Sequence, residues 1–246
     1  MTHRSNGDEI DPAALNPGQR MQSAKRQDSF RSVLVWDLPT RLFHWLTVIL
    51  VVTAYVTWRI DRMDWHLLAG KALLAMLLFR LVWGFMGSET ARFARFLASP
   101  PAAARHLARL FHREPDVQIG HNPAGGWMVV VLLALLAGET LSGIVVNNDV
   151  SDATGPLSEI MPANVANLMT DLHSLLWQTL LAAVLLHVAA IATYAVAKGH
   201  RLTRAMFTGR KRLPSSSASP RVASLPLALI VLGCSIVAAW LIAGFL

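Results

Sequence analysis

From Leu42 to Trp58 the chain carries no charged side chain. A run of this kind constrains the fold more than any other feature of the sequence. About 20 apolar residues, at roughly 1.5 Å of helical rise each, cross a hydrocarbon layer of ~30 Å. Four further stretches approach the same pattern. They are His66–Gly87 (interrupted by Lys71 and Arg80), Gly126–Val146 (interrupted by Glu139), His173–Ala197 and Leu225–Leu246. Only 15% of the 246 residues are charged and 54% are hydrophobic, well away from a soluble domain. The expectation is an all-α integral membrane protein, a four-helix transmembrane bundle plus a fifth C-terminal transmembrane helix.

Orientation follows from the basic residues. Residues 1–41, 88–125 and 198–226 hold 18 of the 22 Lys and Arg, whereas 59–65 and 147–172 hold only Arg59 and Arg62. That bias places the N-terminus and the basic connections on the cytoplasmic side of a bacterial inner membrane. The same clusters argue against nucleic-acid binding, because they alternate with the spans. Residues 1–32 are polar and lack an apolar core like that of a cleaved signal, so they read as a disordered cytoplasmic tail. Residues 213–224, within the Pro/Ser-rich stretch Arg210–Arg221 and just past it, read as a linker between a 33–212 unit and the fifth helix at 225–246. Between spans two and three, "ARFARFLASPPAAARHLARLFHRE" reads as short amphipathic helices on the cytoplasmic leaflet, broken at Pro100–Pro101.

Nine histidines are present, and four of them fall in spans. His44 begins span one on the cytoplasmic side, and His66 begins span two on the outer side. Span four enters from outside, so His173 lies high. His187, fourteen residues later, lies about 21 Å lower. Fourteen residues are nearly four turns at about 100° each, so both histidines share a face. Depth therefore pairs His66 with His173 on the outer side and His44 with His187 on the inner side.

Imidazole in a bilayer is costly unless satisfied, and ionisable residues there mark functional sites. Two imidazoles from facing helices are suited to gripping a haem iron from both sides. With a single cysteine, Cys234, and no Cys-x-x-Cys-His, covalent attachment is excluded, so two non-covalent haem groups are expected. Gly70, one turn after His66, leaves space for a porphyrin. Arg80 falls at the depth of His44 and His187, where a guanidinium suits a propionate; snorkelling to headgroups is its other reading. Lys71 would reach the outer propionates or the headgroups. Zinc would want its ligands at one depth, and a proton relay would want more carboxylates than Glu139. Trp36, Trp45, Trp58, Trp65, Trp83 and Trp127 read as interfacial anchors.

The segments "VWDLPTRLFHWL", "WHLLAGKALLAMLLFRLVWGFMGS", "GHNPAGGWMVVVLLALLAGETLSG" and "LHSLLWQTLLAAVLLHVAAIATYAVAKGHRLTRAMFTGRK" resemble the four spans of the bacterial cytochrome b561 / nickel-hydrogenase cytochrome b family. The resemblance covers roughly residues 33–212. It implies two b-type haems ligated by His44, His66, His173 and His187, with quinone on one side of the reaction and a redox partner on the other. It also makes His121, in its "HNP" turn, a propionate or quinone neighbour. The fifth span and Glu139 depart from the family pattern.

The expected function is electron transfer across the membrane between the quinone pool and a periplasmic redox protein such as a c-type cytochrome. Two alternatives stand beside it: a membrane anchor for a periplasmic dehydrogenase or hydrogenase, and a superoxide:quinone oxidoreductase. Segment 147–172 carries Asp149, Asp152, Glu159 and Asp171 and no Lys or Arg, which suits docking of a basic partner.

Overall fold

The computed structural model describes residues 30–109, 112, 118–148 and 153–244, together with Asn16 and Gly18. The remainder of the expected tail, and Phe111, Arg113, Asp149 and Asp152, lie outside the described residues. Among the described residues, five helices are long and apolar enough to cross a membrane. They are α1 (Leu38–Arg59), α2 (Met63–Met86), α5 (Pro123–Gly143), α6 (Ala163–Lys198) and α8 (Leu225–Gly244).

Local chemistry sets where these helices begin. Asp37 caps α1, its Oδ1 accepting from the Thr40 amide at 2.9 Å, and Pro39 sits in the first turn, where no amide is needed. Asn122 caps α5 in the same way, accepting from Gly125 at 2.7 Å. Ser99 precedes Pro100 and Pro101, which open the short helix α4 (Pro100–Ala108), while α3 (Phe93–Phe96) lies before it. The break expected at the proline pair is therefore present.

Helix α6 begins ten residues earlier than its apolar stretch. Pro162 stops the preceding chain, and "ANVANLMTDL" contains neither Pro nor Gly to interrupt a helix. Asp171 is thus helical, and the connection before α6 is shorter than composition alone implies. It holds a two-residue pairing of β2 (Asn147–Asn148) with β3 (Ala153–Thr154) and a 3-10 turn at Ser158–Ile160. At its far end α6 closes on Gly199 with φ 71°, a left-handed position that favours glycine.

The ends of the bundle are tied by strands. Strand β1 (Phe30–Leu34) pairs antiparallel with β4 (Arg210–Pro214), which follows the short helix α7 (Leu202–Thr208). Phe30–Ser32, expected as tail, and Leu213–Pro214, expected as linker, are therefore strand residues. The Gly209 carbonyl accepts from Val35 and Trp36 at 2.8 and 3.1 Å, and its φ of 75° requires glycine.

Between the two ends lies an apolar layer of Leu73 and Leu77 from α2, Leu133 and Leu136 from α5, and Leu180 from α6. Outside it, Val52, Leu185, Val188 and Ile230 are all exposed, an apolar surface suited to lipid. Trp83 departs from its expected role as an interfacial anchor. It is fully buried, and its Nε1 donates to Asp37 Oδ2 at 3.0 Å. The rim position of a tryptophan in sequence does not reveal whether its ring turns to lipid or to a neighbouring helix.

Candidate functional site

At one end of the bundle the His66 and His173 rings face each other with centres 6.4 Å apart. Each ring is held from behind. His66 Nδ1 donates to the Ala54 carbonyl at 2.9 Å, and His173 Nδ1 donates to the Glu139 carbonyl at 3.0 Å. A carbonyl only accepts, so in a neutral ring Nε2 keeps its lone pair, the arrangement of a ligating histidine. Ser142 Oγ lies 3.1 Å from the same His173 nitrogen. Gly143 favours this approach, since a Cβ there would stand 3.1 Å from His173 Cε1, a tight contact that the ring would have to relieve by shifting.

The two rings open on a cavity of about 330 Å³ between α1, α2, α5 and α6, lined also by Gly70, Lys71, Glu139 and Trp177. A Cβ added at Gly70 would meet nothing within 4 Å, so the space expected beside it exists. Lys71 is exposed and lines the same cavity. Glu139 is the residue that sequence reasoning left without a place. Its Oε1 lies 3.3 Å from His173 Nε2, so this carboxyl would have to swing aside for that nitrogen to ligate, and its Oε2 is buried without a partner among the described residues. Only the rotation of α5 against α6 brings it there.

At the other end His44 and His187 face each other with ring centres 6.5 Å apart, and His44 rests edge-on against Trp45. Arg80 is 2% exposed and its guanidinium lies 5.0 Å from the Phe93 ring, so it does not snorkel to the surface. Its Nη1 has no hydrogen-bond partner among the described residues. His121, outside the spans, packs between Trp36 and Phe96 with ring centres 4.5 and 4.8 Å away. Burial pushes its pKa down to about 3, with the fields of Arg80, His187 and His44 acting in the same direction. Its Nδ1 is also buried and has no partner among the described residues. An orphaned buried polar group costs about 1–3 kcal/mol, so two of them beside one imidazole pair point to a polar group they would both hold.

The spacing of both pairs has a simple reading. Two imidazoles bonded to one metal ion at about 2.0 Å, each ring centre roughly 1.1 Å behind its nitrogen, would stand about 6.2 Å apart. Both observed separations lie close to this, and rotation of either ring about the common axis leaves the distance unchanged.

A helical membrane bundle with two opposed imidazole pairs at two levels of α6 defines the class: a multi-pass membrane protein built around paired histidines. The family model for prokaryotic cytochrome b561 matches residues 35–209, most of the chain, and the protein belongs to that family. It is accordingly a membrane b-type cytochrome of electron transfer, and the family implies haem b. No curated protein and no solved structure matches the chain.

Proposed function

We propose that the protein is a dihaem cytochrome of the bacterial inner membrane that passes electrons between quinone and a periplasmic redox protein, such as a c-type cytochrome. The observation that carries this reading is the presence of two imidazole pairs, at two levels of α6, with an apolar layer between them. Haem b, when bound, supplies a reversible one-electron iron couple.

The chain's own residues do the rest. His66 and His173 would hold one iron and His44 and His187 the other, while the carbonyls of Ala54 and Glu139 fix the first two rings. Arg80 and His121 offer buried donors to propionate oxygens at the His44–His187 end, and Lys71 offers an ammonium at the other. Gly70 leaves the porphyrin room beside His66. The basic connections set the His44–His187 end toward the cytoplasm.

The test is electron transfer in sealed vesicles carrying the purified protein, with quinol in the bilayer and ferric cytochrome c on one face only. Cytochrome c reduction should require the protein and occur on the face bearing the His66–His173 end. Reduction that is independent of the protein, or confined to the opposite face, contradicts the reading.

A further inference from the structure

The family match ends at residue 209, yet the chain continues through β4 into α8, which packs along α2. The entry of α8 is pinned. The Ala223 amide donates to Ser88 Oγ at 2.9 Å, the Arg221 amide donates to Glu89 Oε2 at 3.1 Å, and the Glu89 amide donates back to the Arg221 carbonyl at 2.9 Å. These bonds start α8 just past the end of α2, so the two helices run antiparallel in a defined register. Ala228 and Val231 pack with Phe79 and Trp83, and further along Ala239 and Ala243 pack with Leu74 and Ala75. Ala228, Val231, Ser235, Ala239 and Ala243 recur at helical spacing and are all buried.

Continued to its end, this register brings Ala243 to the level of Gly70. Both residues line the cavity between His66 and His173, and Ala243 is 2% exposed. Helix α8 therefore does more than cover α2. Its last turn supplies part of the cavity wall, and a single methyl group stands where a larger side chain would enter the space.

We propose that the C-terminal extension is a built-in wall of the His66–His173 haem site, with Ala243 as the positioning residue that sets the space available there. The inference rests on the dihaem reading above. Gly70 on α2 and Ala243 on α8 open the cavity on one side, so the fit of the group against that side is a property of residues beyond the family core. The His44–His187 end is at the opposite end of the bundle and should not respond to Ala243.

The experiment compares Ala243→Trp, Ala243→Val and Leu241→Trp with the parent, all as full-length protein in mild detergent. Leu241 is half exposed on the lipid-facing side of the same helical turn. Haem per chain and the low-temperature electron paramagnetic resonance spectrum are recorded for each. Ala243→Trp should fall from about two haems per chain to about one, losing the signal that His66→Ala also loses. Ala243→Val, a milder change, should keep both haems and shift the spectrum of that centre alone. Leu241→Trp should match the parent. Parental spectra from both Ala243 variants, or equal changes at both centres, would overturn the proposal. A parent with other than two haems per chain instead overturns the dihaem reading itself, before any variant is considered.

Discussion

His66 on α2 donates from Nδ1 to the carbonyl oxygen of Ala54 on α1, 2.9 Å away. The bond joins two neighbouring helices and fixes the ring beside His173 of α6. A histidine that served only as a helix–helix tether would need nothing on its second nitrogen. Here the ring centre stands 6.4 Å from that of another imidazole, and both residues line one cavity.

The first prediction is that the four histidines separate into two pairs by their effect. His66→Ala or His173→Ala should remove one haem, and His44→Ala or His187→Ala the other, each variant retaining about one per chain. Spectra of the four purified variants check this. If His44→Ala and His173→Ala lose the same signal, the pairing is wrong.

The second concerns the junction at Asp37. One carboxylate caps α1 and accepts from the fully buried Trp83, which joins the start of α1 to the end of α2. Trp83→Phe removes a hydrogen bond to a charged group and should cost about 1.5–3 kcal/mol. Asp37→Ala also loses the cap, worth about 0.5–2 kcal/mol, and leaves Trp83 Nε1 without its acceptor. Thermal unfolding in detergent should therefore rank parent above Trp83→Phe above Asp37→Ala. Equal melting of all three would show that the junction contributes nothing.

Much of this arrangement is legible in the sequence because depth in a membrane is one-dimensional. The charge bias orients each span, and helical rise then assigns His44, His66, His173 and His187 to two levels. The facing of the rings is what the structure adds. Rotation about a helix axis is harder to read from a uniformly apolar stretch. This is why Glu139 gives no sign of lying against His173, and why Trp83 resembles an anchor although it is buried. The start of α6 at Ala163 is hidden for a different reason: a polar helical extension outside the bilayer carries no hydropathy signal. The pairing of β1 with β4 joins segments far apart in sequence, neither of which is apolar enough to announce itself.

The third prediction concerns topology. The N-terminus and the segment around Ser215 should face the cytoplasm and a C-terminal fusion should face the periplasm, because α8 leaves from the basic side. Alkaline phosphatase and fluorescent-protein fusions read the two sides. A periplasmic signal at Ser215 contradicts the five-span topology.

The fourth concerns the acidic connection before α6. Glu159 is exposed in its 3-10 turn, and Asp149 and Asp152 belong to the same segment. Complementary charge accelerates docking, and it is screened beyond about 8 Å at physiological ionic strength. Reversing the three to Lys should slow exchange with a basic c-type cytochrome at low salt. Haem content and reaction with quinol should be unchanged. Equal rates for parent and variant at low salt would reduce the acidic segment to a by-product of topology.

The most direct measurement is haem stoichiometry in the intact purified protein, from a reduced-minus-oxidised spectrum with extraction and quantification against protein mass. Two opposed imidazole pairs call for two haem b per chain, both low-spin and both extractable, since no cysteine pair is present to attach them. A single haem per chain, or a high-spin spectrum at either centre, would contradict the assignment of His44 with His187 and His66 with His173 as two complete sets of axial ligands.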